Sequence, residues 1–108
     1  MAVKMDRLDY IELLYKYGAN INLIDRKNGY TILHTAILEK AKHIVQFLLK
    51  CPTIDVIKKD FSGKDAYNLT LAIKNQDQIG HEIHDLVDTY VVSFIPTRAY
   101  QIYIVIIF

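Results

Sequence analysis

The sequence predicts an all-α protein, a solenoid of about two and a half stacked helix–turn–helix repeats with an irregular C-terminal tail. Three observations predict it. First, the chain repeats itself. Leu13-Leu14 closes an apolar stretch and is followed by Gly18-Ala19-Asn20-Ile21-Asn22 and Asp25; Leu48-Leu49, Ile54-Asp55-Val56 and Asp60 recur 35 positions on, and Gly29 recurs as Gly63 after 34. A fixed period of this size marks a repeat array, in which each unit buries its core against its neighbours. Second, Gly29-Tyr30-Thr31-Ile32-Leu33-His34-Thr35-Ala36 reads as a tight turn feeding a capped helix. Gly29 supplies positive φ, and Thr31 accepts a free N–H at the helix start. Third, Ile44, Val45, Leu48 and Leu49 fall at i, i+1, i+4 and i+5, one apolar face of a second helix.

The elements follow in order. Residues 1–28 form a partial repeat, with only a second helix (about Asp6 to Tyr17, apolar at Leu8, Ile11, Leu13 and Leu14) and a finger-like loop. Residues 29–62 form a full repeat. Residues 63–90 form a divergent one, in which Asp65 replaces the capping Thr, Asn68 replaces the His and Thr70 stands where Ala36 stood. Its second helix is expected at His81 to Asp88, with Ile83, Leu86 and Val87 inward. The spacing from Gly63 to Ile83 exceeds that from Gly29 to Ile44 by five, an insertion assigned to the polar run Asn75-Gln76-Asp77-Gln78. Residues 91–108 form an apolar tail. Tyr90–Ile95 and Ile102–Phe108 have the β-branched and aromatic composition of strands but do not alternate with polar residues. The tail reads either as a segment that docks or touches a membrane, or as an end with no structural role. Its last nine residues are too short to span a bilayer, which takes about 20.

The run Gly29 to Ala36 resembles the ankyrin helix start T-P-L-H-x-A, with Ile32 in place of Pro, and the period is near the family's value of about 33. The resemblance implies an ankyrin-repeat solenoid in which Gly29, Thr31, Leu33, His34 and Ala36 are the structural motif, His34 hydrogen-bonding a neighbouring turn. It implies a protein-binding scaffold with no catalytic residues, no cofactor and no metal. Within that family, the finger with one extra residue before Thr31, the run Gly63-Lys64-Asp65-Ala66-Tyr67-Asn68-Leu69 and the irregular last repeat are similar to the late repeats of IκB-type proteins. That likeness implies binding of a Rel-homology dimer, cover of its nuclear-localisation segment and retention in the cytoplasm. Three features depart from it, the first being that two and a half repeats are too few to cover a Rel dimer. The only serines are Ser62 and Ser93, so no D-S-G-x-x-S degron is present, and no acidic tail follows the repeats. The alternative is a generic ankyrin adaptor for an unrelated protein.

In such a stack the first helices and fingers line the concave face. The binding residues are therefore expected at Ile24, Asp25, Arg26, Lys27 and Asn28 on the first finger, at Lys58, Lys59, Asp60 and Phe61 on the second, and at Glu39 and Lys40. Phe61 reads either as an anchor for a partner or as a ring folded onto its own array. A net charge of +1 argues against a nucleic-acid footprint. Cys51, the one cysteine, allows no intrachain disulfide and sits at a helix end that does not favour a thiolate. His81 and His84 stand at i, i+3. They are read as solvated surface histidines, since a zinc helix spaces its pair at i, i+4. The sequon at Asn68 falls within a predicted helix and is discounted.

Overall fold

The structure, a computed structural model, describes residues 8–94. They form α1 (Leu8–Lys16), α2 (Ile32–Leu38), α3 (Lys42–Lys50), α4 (Ala66–Ile73) and α5 (Gln78–Phe94), with no strand among the described residues. α2 and α4 pack together as an inner row. α1, α3 and α5 form an outer row, α3 contacting both its neighbours, and α2–α3 and α4–α5 close as antiparallel pairs. The core lies between the rows, where Leu33, Ala36, Ile37, Ile44, Val45, Leu48, Leu69, Ile83 and Val87 are buried. None of the helices is long and apolar enough to cross a membrane among the described residues.

Each inner helix starts on a reciprocal cap. At α2, the Thr31 hydroxyl accepts the His34 N–H at 3.3 Å and the Thr31 N–H donates to His34 Nδ1 at 3.1 Å. At α4, the Asp65 carboxylate accepts the Asn68 N–H at 2.9 Å and the Asp65 N–H donates to the Asn68 side-chain oxygen at 3.1 Å. The divergent repeat thus replaces both capping residues and keeps both bonds, each cap contributing about 1 kcal/mol.

The structure corrects four sequence-based expectations. Leu13 and Leu14 are exposed at 48% and 39%, whereas Ile11 of α1 is buried. Their counterpart Leu48 is fully buried because α2 closes over α3, whereas α1 packs on α3 with no inner-row helix beside it among the described residues. The five extra residues of the last repeat are spread between and within its helices rather than confined to residues 75–78. Compared with α2 and α3, α4 is one residue longer, the connection is one longer, and the other three lengthen the start of α5, which begins at Gln78 rather than His81. α5 also runs past Asp88 to Phe94, so Tyr90–Phe94 is helix despite its strand-like composition. Tyr90 and Val91 continue the face begun by Ile83 and Val87, at helical spacing, and pack on the core. Finally, Leu86 is only half-buried and His84 is buried in its stead. Residues 95–108, the rest of the expected tail, lie outside the described residues.

Two glycines fix close approaches. Gly80 lies in the first turn of α5, where an added Cβ would run into the Ile73 carbonyl of α4. Gly29 has φ of +77°, and a Cβ there would lie 2.6 Å from the Phe61 ring and 2.8 Å from the Phe61 nitrogen. The two fingers therefore touch across a position that tolerates no side chain.

Candidate partner-binding face

Each finger is organised by one aspartate. In the first, the Asp25 N–H donates to the Tyr30 carbonyl (2.8 Å), the Gly29 N–H donates to the Asp25 carbonyl (2.7 Å), and the Lys27 N–H donates to the Asp25 carboxylate (2.8 Å). In the second, one Asp60 carboxylate oxygen accepts the Ser62 N–H (2.8 Å), the Ser62 hydroxyl (2.7 Å) and the Lys64 N–H (3.0 Å). Burial acts to raise the Asp60 pKa. The Ser62 hydroxyl, the Lys64 and Ser62 amides and the nearby His34 outweigh it and hold the carboxyl below its ordinary value. The span from the aspartate to the helix cap is six residues in the first finger and five in the second, the difference expected from the sequence.

The fingers are also tied to each other. Asn22 donates to the Thr53 carbonyl at 2.7 Å and accepts the Asp55 N–H at 2.9 Å. The Phe61 N–H donates to the Asn28 carbonyl at 2.9 Å. His34 adds a third tie. Its Nδ1 accepts from Thr31, which leaves the ring proton on Nε2, and Nε2 donates to the Lys64 carbonyl at 3.0 Å. The ring is 1% exposed and stacks on Tyr30 at 5.8 Å. Both its nitrogens are thus occupied by structure.

The expected binding residues divide accordingly. Ile24, Arg26, Lys27, Lys59 and Phe61 are exposed, and Lys58 and Asn28 are half-buried. Phe61 lies over Gly29 while leaving 63% of its surface open beside a shallow crevice lined by Asn28, Tyr30, Asp60 and Ser62. Asp60 is 7% exposed and is consumed by its own turn. Glu39 and Lys40 sit at the far end of α2, about 10 Å along the helix from the fingers. Lys40, at φ +56°, pairs with Asp77 at 2.8 Å. Asp25, Asp60 and Lys40 are therefore parts of the scaffold. Their recurrence at one offset is the signal that could have marked the two aspartates, while Asn22, Leu23 and Ile57, the last two well exposed, carried no mark in the sequence.

The histidine pair also separates. His81 is exposed and lies 3.4 Å from Asp85. His84, expected in solvent, is buried against Thr70. The Thr70 hydroxyl donates to the Tyr67 carbonyl at 2.6 Å, so His84 Nδ1 donates to Thr70 Oγ1 at 3.1 Å. No cluster of three or more metal-ligating side chains occurs among the described residues. Cys51 is buried, its thiol donating to the Phe47 carbonyl at 3.4 Å, and burial pushes its pKa up, away from thiolate chemistry.

A family model described as ankyrin repeats (3 copies) matches residues 1–60. The chain belongs to the ankyrin-repeat family. The caps, the finger turns and the His34 tie are thus the working parts of an ankyrin array, a scaffold of the kind that binds other proteins. Two relatives are I-Kappa-B like proteins of Microplitis demolitor bracovirus (isolate Webb). Protein C2 is 35% identical over 66 residues, covering 61% of this chain and 36% of the relative. Protein C1 is 27% identical over 66 residues, covering 61% of this chain and 38% of the relative. The ankyrin chain therefore spans little more than a third of the length of these curated relatives.

Proposed function

We propose that this ankyrin array binds a protein partner through its two fingers, and that it acts as an IκB-like inhibitor that retains a Rel-homology transcription factor in the cytoplasm. The observation that carries the binding face is the rigid pairing of the fingers. Three cross-links hold Ile24, Arg26, Lys27, Lys59 and Phe61 open to solvent on turns that need no further ordering. A preorganised surface loses little conformational entropy on binding. The finer reading is supported by the likeness to I-Kappa-B like proteins and by the longer first finger. Calorimetric titration of the full chain with a Rel-homology dimer tests it. Saturable binding weakened about tenfold or more by Phe61→Ala is expected of an aromatic anchor. A folded chain that does not bind the dimer would leave only the coarser reading, an adaptor for an unrelated protein.

A further inference from the structure

Charge on the fingers is sorted by position. Residues 19–30 and 51–65 hold Arg26, Lys27, Lys58, Lys59 and Lys64 against Asp25, Asp55, Asp60 and Asp65, so the numbers nearly balance. The placements do not. Every one of these carboxylates is turned back onto a backbone N–H, that of Lys27 (2.8 Å), Ile57 (3.2 Å), Ser62 (2.8 Å) and Asn68 (2.9 Å) in turn, and none is exposed. Of the cations, Arg26, Lys27, Lys59 and Lys64 are exposed and Lys58 is half-buried. None of the five has a carboxylate partner among the described residues. The opposite end of the stack behaves differently, because Lys40 pairs with Asp77 at 2.8 Å and Lys42 with Glu82 at 3.2 Å.

The same two fingers carry Leu23, Ile57 and Phe61, exposed at 69%, 73% and 63%. Of the three only Phe61 offers a flat face, too few for successive bases to stack, and a formal net charge of +1 gives little long-range pull on a polyanion. A basic nuclear-localisation segment would meet like charge here. What this edge complements is a short stretch of carboxylates interspersed with apolar side chains. We infer that the finger edge docks an acidic protein segment carrying aliphatic or aromatic anchors. The inference refines the protein-binding reading above and rests on it.

The test is a random peptide-display selection against the immobilised full chain, with the recovered peptides measured by fluorescence polarisation. Binders enriched in Asp and Glu together with Leu, Ile or Phe are expected, weakening as salt is raised. Lys58→Glu/Lys59→Glu is expected to weaken them about tenfold or more, with the helical circular dichroism unchanged. Binders rich in Lys and Arg that are sensitive to finger substitutions would overturn the acidic partner and leave the fingers as a binding face. Binders indifferent to the fingers, or no binders at all, would overturn both readings. Mixed-sequence single-stranded DNA that binds at physiological salt, and is released by the double substitution, would overturn the inference by assigning the edge to nucleic acid.

Discussion

The α2–α3 and α4–α5 pairs build the same kind of capped helix pair from different side chains. At the cap, Thr31 and His34 in one become Asp65 and Asn68 in the other, with both hydrogen bonds retained. In the core, Ala36 and Val45 of the first pair occupy the positions taken by Thr70 and His84 in the second, a buried apolar contact layer exchanged for a bonded polar pair. The difference lies in what reaches beyond the unit. His34 is long enough to cap its own helix and also hold the next finger at Lys64, whereas Asn68 caps its helix and reaches no further loop among the described residues. The last pair is held instead by close helix approach at Gly80 and by ion pairs from Lys40 and Lys42. His34 thus adds one tie between neighbouring repeats that Asn68 does not reproduce among the described residues.

The largest expected effect is at Gly80. Alanine in an exposed helix normally gains stability over glycine by up to about 1 kcal/mol. Gly80→Ala should reverse that sign, since its Cβ meets backbone at Ile73 and neither helix can yield cheaply. A loss of about 2–3 kcal/mol is expected from such overpacking, read as a lower denaturation midpoint in urea. A stabilised variant would show that the α4–α5 approach is looser than described.

The two caps come next. His34→Ala removes the Thr31 N–H acceptor and the Lys64 tie from a buried site and should destabilise by about 2–3 kcal/mol. Asn68→Ala removes a single exposed capping bond and should cost about 1 kcal/mol or less. Equal losses in chemical denaturation would contradict the coupling role given to His34.

Thr70→Ala should cost about 1–2 kcal/mol, because it strands a buried His84 nitrogen. Adding His84→Val restores the Ala and Val pattern of the first pair and should recover most of that loss. A double variant no better than the single one would mean that the two units do not share a core layout.

Much of this was legible in the sequence, and the gaps have physical causes. The period, the Gly29 turn and the Thr31–His34 start are local, so residue order alone exposes them. The reach of α5 was not, because Tyr90 and Val91 have strand-like propensity and only burial against the core makes them helical. His84 looked solvated because its partner Thr70 lies on another helix, and only stacking brings the two together. Among the site residues, Phe61 left two readings open in the sequence, and the structure shows the ring against Gly29 with most of its surface still exposed. Asp60 was misjudged because a charged residue on a turn looks available until its acceptor bonds are seen.

The smallest effect concerns those bonds. The folded Asp60 carboxyl sits below its ordinary pKa, so over the interval between the folded and unfolded values the folded chain binds fewer protons and stability rises with pH. Its contribution is complete above the unfolded value, near pH 4, and is lost as pH falls through the folded one. Asp60→Asn cannot titrate, so its stability should fall less steeply with acid than that of the parent chain below about pH 4. The parent's steeper loss in acid, followed by circular dichroism, would locate that proton uptake in the second finger. Parallel acid profiles would mean that Asp60 gains nothing from its turn, and that the second finger is held chiefly by Asn22 and His34 from the repeat before it.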